Sequence, residues 1–232
     1  MMLCALYLAC GEKEEEEKVM PYSWLGVIML SSLAYLAVLA KRYQTGKYVL
    51  KPGTMGLIIA MAVAGLDGGD RAGWLILIGL CCSLIGDICL MLPKERFLEG
   101  LGAFFLAHLC YVAAFSTVGD APLPRGVLAA LVCVGVGYML VLLAGVVREG
   151  GIRLMVAVGC YIAVITWMLA MAVQTGSSLL IAGAVTFYLS DAVLAWNRFV
   201  RPFPWAELVL MALYFLAQAL LALAVWGGVQ TA

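Results

Sequence analysis

Charge and histidine are what this chain has least of. Only 12% of its 232 residues are charged, against about 25% in a soluble domain. It holds one His, which excludes a mononuclear metal site built on two or three His ligands. Lys plus Arg and Asp plus Glu balance at 14 each, so no basic surface argues for nucleic acid. Cysteine is present but unpaired in pattern. Cys81, Cys82, Cys89, Cys110, Cys133 and Cys160 lie inside apolar runs, with no C-x-x-C and no loop pair suited to a bridge. Such thiols behave as small hydrophobes. What fills the chain is apolar: 65% hydrophobic residues and a mean hydropathy of +1.06. A soluble fold of this size cannot hide that much apolar surface. The composition excludes an ordinary soluble enzyme and points to an all-α, polytopic membrane bundle.

The first 21 residues stand apart. Met1–Gly11 is apolar but too short to span a bilayer, and it lacks the basic start of a signal peptide. Leu8-Ala9-Cys10-Gly11 loosely resembles a lipoprotein cleavage site. The run Glu12–Lys18 then carries a quarter of all charged residues. The expectation is a tail over 1–21 and one membrane domain over 22–232.

A bilayer core of about 30 Å takes roughly 20 apolar residues per helix. Eight segments qualify, at approximately 22–40, 53–69, 74–92, 98–118, 126–147, 153–173, 178–196 and 206–226. Turn-forming residues separate them, including Lys51-Pro52-Gly53, Asp67-Gly68-Gly69-Asp70, Gly150-Gly151 and Pro202–Pro204. Lys51-Pro52 reads as a helix start, where proline is tolerated. No span carries a central proline. The loops are short, so neighbouring helices run antiparallel.

Lys and Arg set the orientation. Lys41, Arg42, Lys47, Lys51, Lys94, Arg96, Arg148, Arg153, Arg198 and Arg201 fall on one side, and Lys13, Lys18, Arg71 and Arg125 on the other. Both termini are therefore expected to face away from the cytoplasm, in a bacterium across the inner membrane. Trp24, Trp74, Trp196, Trp205 and Trp226 sit near span ends and read as interface anchors.

Inside the spans two carboxylates remain, Asp87 and Asp191. Ionisable groups in lipid are expensive and usually face the bundle interior. A single one is equally well explained as interhelical glue. Two in similar surroundings favour function. Ser83-Leu84-Ile85-Gly86-Asp87 and Phe187-Tyr188-Leu189-Ser190-Asp191 each put a small residue before Asp, on the third helix of a four-helix half. The pattern suggests two parallel halves. Both carboxyls fall about 8 Å inside the cytoplasmic boundary. His108 lies about 15 Å in, with Tyr111 on the same helix face. Ser83 is one turn before Asp87, and Tyr214 and Gln218 share a face of the last span. These groups are expected to converge in one polar pocket reached from the inner leaflet. Bland readings exist for each: His108 bonded to a carbonyl, Tyr111, Tyr161 and Tyr214 as packing residues, Gln218 as glue, Lys51 on a lipid phosphate.

Taken in order, the motifs resemble a known family. They are Lys51-Pro52; Ser83-x-x-Gly86-Asp87; Gly102-x-x-Phe105-x-x-His108-x-x-Tyr111; Gly183-Ala184-x-x-Phe187-x-x-Ser190-Asp191-x-x-Leu194-Ala195; and Tyr214-x-x-Ala217-Gln218. The set resembles the YhhN-like family of membrane proteins, which includes the lysoplasmalogenases, over most of the chain from about residue 25. The resemblance implies an eight-span protein that hydrolyses the vinyl ether bond of lysoplasmalogen. The products would be a fatty aldehyde and glycerophosphoethanolamine or glycerophosphocholine. It maps the family's two membrane aspartates onto Asp87 and Asp191.

That chemistry needs no metal or cofactor. Protonating the vinyl carbon away from oxygen makes an oxocarbenium ion, which water attacks. One carboxyl can supply the proton, and a second carboxylate can stabilise the cation and activate water. One of Asp87 and Asp191 is thus the expected acid and the other the base. His108, Tyr111, Ser83, Ser190, Tyr214, Gln218, Lys51 and Tyr161 would bind or orient the lysophospholipid, drawn from the membrane. A proton-coupled transporter remains an alternative, since membrane acids also relay protons. An intramembrane aspartyl protease fits less well. Position 84 is Leu, which breaks Gly-x-Gly-Asp, and Ser190 precedes Asp191 where that class has Tyr.

Overall fold

The computed structural model describes residues 22–41, 43–92, 96–119 and 121–226. The expected tail, 1–21, lies outside the described residues. The described residues form helices and no strands: α1 Tyr22–Ala40, α2 Gln44–Ala64, α3 Arg71–Met91, α4 Phe97–Ser116, α5 Arg125–Gln174, α6 Ser178–Phe199 and α7 Ala206–Trp226. All seven are long and apolar enough to cross a membrane. The chain is a multi-pass membrane protein.

Eight separate helices were expected, and the difference lies in α5. Its 50 residues take in both expected spans, 126–147 and 153–173, and are interrupted at Gly151, where φ is 62° and ψ −153°. That backbone conformation is essentially restricted to glycine. The helix folds back there. A Cβ added at Gly135 would lie 3.1 Å from Thr166 Oγ1, two residues that a straight helix would hold roughly 45 Å apart. The arms of α5 are therefore an antiparallel hairpin, each about one bilayer long.

The second span also differs. Pro52 lies inside α2 rather than at its start, and α2 begins well before position 53. A proline within a membrane helix is tolerated when neighbouring groups satisfy the freed backbone. Next to Pro52, Thr54 Oγ1 donates to Leu50 O at 2.8 Å and meets Ser31 Oγ of α1 at 2.7 Å, which fastens α2 to α1. Lys47 and Lys51, expected in the first loop, are thereby carried on α2. Lys47 pairs with Glu207 at the start of α7, at 2.9 Å.

The main core joins α1, α2, α3, α4, the second arm of α5, α6 and α7. Faces turned outward stay apolar, as Leu30, Leu33, Val136 and Leu140 show. Lipid explains that, since it is as apolar as a core. Asp70 caps α3 through Gly73 N at 2.9 Å, and Ser177 caps α6. Trp226 is not a simple anchor: its indole donates to Met61 O at 2.7 Å and packs against Gly65.

A very close crossing joins α5 to the end of α6. A Cβ on Gly145 would stand 1.8 Å from Phe199 O, so the neighbour there is backbone and cannot rotate away. Gly145→Ala should force the helices apart and destabilise the protein by about 1–3 kcal/mol or more. Thermal unfolding in detergent reads this, and an unchanged midpoint would contradict the close packing.

Candidate active site

Asp87 on α3 is 2% exposed, and both its oxygens are engaged. Oδ1 lies 2.9 Å from Lys51 Nζ of α2. Oδ2 accepts from the Tyr214 hydroxyl of α7 at 2.6 Å. Both partners are themselves buried. A hydrogen-bonded pair of this kind is how a charge survives away from water.

Asp191 on α6 has a different setting. Tyr161, from the second arm of α5, donates to Oδ2 at 2.5 Å. His108 Nε2, from α4, is 3.8 Å from the same oxygen, too far for a direct hydrogen bond. The other ring nitrogen, Nδ1, lies 2.6 Å from Phe104 O. A carbonyl only accepts, so Nδ1 carries the proton and Nε2 faces Asp191.

The partners come from comparable places along the chain. In the first half Asp87 sits on α3 and Lys51 on the preceding helix, and the phenol comes from α7. In the second half Asp191 sits on α6 and Tyr161 on the preceding arm, and the imidazole comes from α4. Each carboxylate is thus met by the last helix of the opposite half.

Aromatic rings pack among these groups. Phe104 is 6.0 Å from Tyr214 and 6.3 Å from Phe187, while Phe187 is 5.7 Å from Tyr214 and 4.7 Å from His108, centroid to centroid. Glycines make room for these rings. A Cβ on Gly86 would strike the Phe104 ring at 2.7 Å, and one on Gly79 the Tyr111 ring at 2.4 Å.

The remaining expected residues divide. Tyr111 donates to Gln218 Oε1 at 3.0 Å, and Ser83 Oγ lies 3.5 Å from the Tyr111 hydroxyl, a third buried polar group joining α3, α4 and α7. Ser190 donates to Leu210 O at 3.1 Å and so ties α6 to α7.

Asp191 and Tyr161 line a cleft between α3, α4, both arms of α5 and α6, together with Leu90, Phe97, Leu101, Phe104, Leu142 and Ile162. The cleft is partly open to the outside. Arg198 stands in its wall, its guanidinium 3.8 Å above the Phe97 ring and 2.7 Å from Glu149 Oε1. Sequence reasoning used Arg198 only for topology. Yet it follows Asp191 by two helical turns, and that spacing was a usable signal.

Fold and site together define a class: a polytopic helical membrane protein with one buried and one partly buried carboxylate, the second of which opens on an apolar cleft. Residues 46–225 match the YhhN family. The chain is 36% identical over 171 residues to a Sus scrofa protein named Lysoplasmalogenase TMEM86B, covering 74% of this chain and 71% of that one. It is 31% identical over 190 residues to a Mycobacterium bovis protein named Lysoplasmalogenase, covering 76% and 71%. Over 71 residues it is 39% identical to an Escherichia coli protein named Uncharacterized membrane protein YhhN, covering 31% and 34%. The chain belongs to the YhhN family. No solved structure matches it.

Proposed function

We propose that this protein hydrolyses the vinyl ether bond of lysoplasmalogen, releasing a fatty aldehyde and glycerophosphoethanolamine or glycerophosphocholine. The observation that carries the reading is the position of Asp191, a carboxyl facing an apolar cleft with a phenol and an imidazole beside it. The family relatives named lysoplasmalogenase point the same way.

Asp191 gives its proton to the vinyl carbon remote from oxygen. Its carboxylate then faces the oxocarbenium ion. Water adds to the carbon bound to oxygen and passes a proton back to Asp191, with His108 Nε2 as the nearby acceptor that orients it. The resulting hemiacetal breaks its bond to the glycerol oxygen, which leaves with a proton. One carboxyl thus acts first as acid and then as base. Asp87 has both oxygens occupied and acts by position: with Lys51 it holds Tyr214 and the Phe104–Phe187 rings that back the cleft.

A second apolar groove, between the arms of α5, shares Ile162 with the cleft and is lined by Gly159, Ala163 and Trp167. It holds the alkenyl chain. A Cβ on Gly159 meets nothing within 4 Å, so a larger side chain fills the groove without disturbing the backbone. Gly159→Phe should shift preference towards shorter chains, read as kcat/KM across a chain-length series. An unchanged profile would place the chain elsewhere.

The membrane domain spans residues 22–232, with 1–21 a separate tail. The start of α1 and the end of α7 face away from the cytoplasm, which puts the Arg198 end of the cleft at the inner leaflet. Thiol labelling of single cysteines placed at residues 22 and 226, from each side of sealed vesicles, reads the orientation.

The test is aldehyde release by purified protein from lysoplasmalogen and from its ester analogue. Release from the vinyl ether alone supports the assignment. Release from neither removes it.

A further inference from the structure

The mouth of the cleft holds a cation that the chemistry above does not use. Arg198 lines the same cleft as Asp191 and lies two turns further along α6, about 10 Å at helical rise. An extended lysoplasmalogen separates the protonated vinyl carbon from phosphorus by roughly 9 Å at ordinary bond lengths. With the vinyl ether at Asp191, the phosphate reaches Arg198.

We propose that Arg198 forms the phosphate subsite of this cleft, and that Glu149 occupies the guanidinium until an anionic headgroup replaces it. This rests on the hydrolase reading, which supplies the ligand. The guanidinium carbon lies 3.8 Å from the Phe97 ring centroid, with Nε and Nη2 both directed at Glu149 Oε1, at 2.9 and 2.7 Å. A planar fork presented in this way matches a phosphate as well as a carboxylate. Glu149 is the exchangeable partner, because its side chain is 38% exposed against 23% for Arg198. It regains water when it leaves. Arg148, Arg153 and Arg201 are exposed and close in sequence to Glu149 and Arg198, and they favour the approach of an anion.

The test compares lysoplasmalogen with the phosphate-free alkenylglycerol as substrates of the full chain in mixed micelles. Arg198→Gln should lower the ratio of kcat/KM between them about tenfold to a hundredfold, the effect of losing a charged hydrogen bond. Glu149→Gln should lower KM for lysoplasmalogen more than for the alkenylglycerol. Should Arg198→Gln fail to fold, Glu149→Gln and Arg198→Lys decide the matter by the same ratio. A folded Arg198 variant that loses both substrates equally overturns the subsite and leaves the hydrolase standing. Inorganic phosphate separates the sources of the anion: Arg198-dependent inhibition by phosphate as strong as by a lysophospholipid overturns the lipid assignment. If wild type releases aldehyde from neither substrate, the hydrolase reading fails. The subsite is then judged by thermal stabilisation with an alkyl-ether lysophospholipid, which Arg198→Gln should abolish and whose persistence would overturn it.

Discussion

Asp191→Asn should lower aldehyde release about a hundred- to ten-thousandfold, the range of a lost general acid, while the protein still inserts and purifies. The amide oxygen of Asn can still accept from Tyr161, which now donates to Oδ2 at 2.5 Å, so little stability is lost. What disappears is the proton. An amide cannot protonate carbon, and it leaves no carboxylate to face the cation. His108→Gln should cost less. It keeps a polar group near Asp191 but loses the ring that Phe104 O fixes through Nδ1. The measurement is kcat/KM with lysoplasmalogen, with thermal unfolding as the control. Near wild-type activity in Asp191→Asn would remove Asp191 from the chemistry.

Lys51→Met should be the most destabilising single change at the site. Asp87 is 3% exposed at its side chain and Lys51 11%. Removing the ammonium leaves a buried carboxylate held only by Tyr214. Breaking a buried pair from one side costs about 3–5 kcal/mol, whereas replacing both partners by uncharged groups is often close to neutral. The double variant Lys51→Met with Asp87→Asn should therefore recover most of the stability lost by Lys51→Met alone. Denaturant unfolding in micelles around this cycle reads the coupling. Additive effects of the two changes would show that the pair is not energetically linked. Activity should fall in all three variants, because Tyr214 and the rings behind the cleft lose their fixed neighbour.

The parts legible in the sequence are those where polarity is rare. Asp87, Asp191 and His108 stood out because everything around them is apolar, and each proved to be buried or partly buried among polar partners. The hairpin of α5 was legible through Gly150-Gly151, although the two arms form one element broken at Gly151. The start of α2 was misplaced because Pro52 reads locally as a helix start, while packing against α1 carries the helix through it. Which helix faces which could not be read. In segments that are apolar all round, periodicity marks no buried face. Nothing local joins Tyr214 to Asp87, 127 positions away, or packs Phe104 and Phe187 against Tyr214. The cleft itself is a property of four packed elements, and Arg198 gains its meaning only when α4 brings Phe97 beneath it.

The most direct measurement is lysoplasmalogen hydrolysis by the purified protein in heavy-oxygen water, with the glycerol product analysed by mass. Protonation at carbon followed by attack of water on the vinyl carbon leaves the glycerol oxygen in place. The account predicts a fatty aldehyde together with a glycerophospho product that carries no heavy oxygen. Heavy oxygen in the glycerol product, or no aldehyde at all, would contradict it.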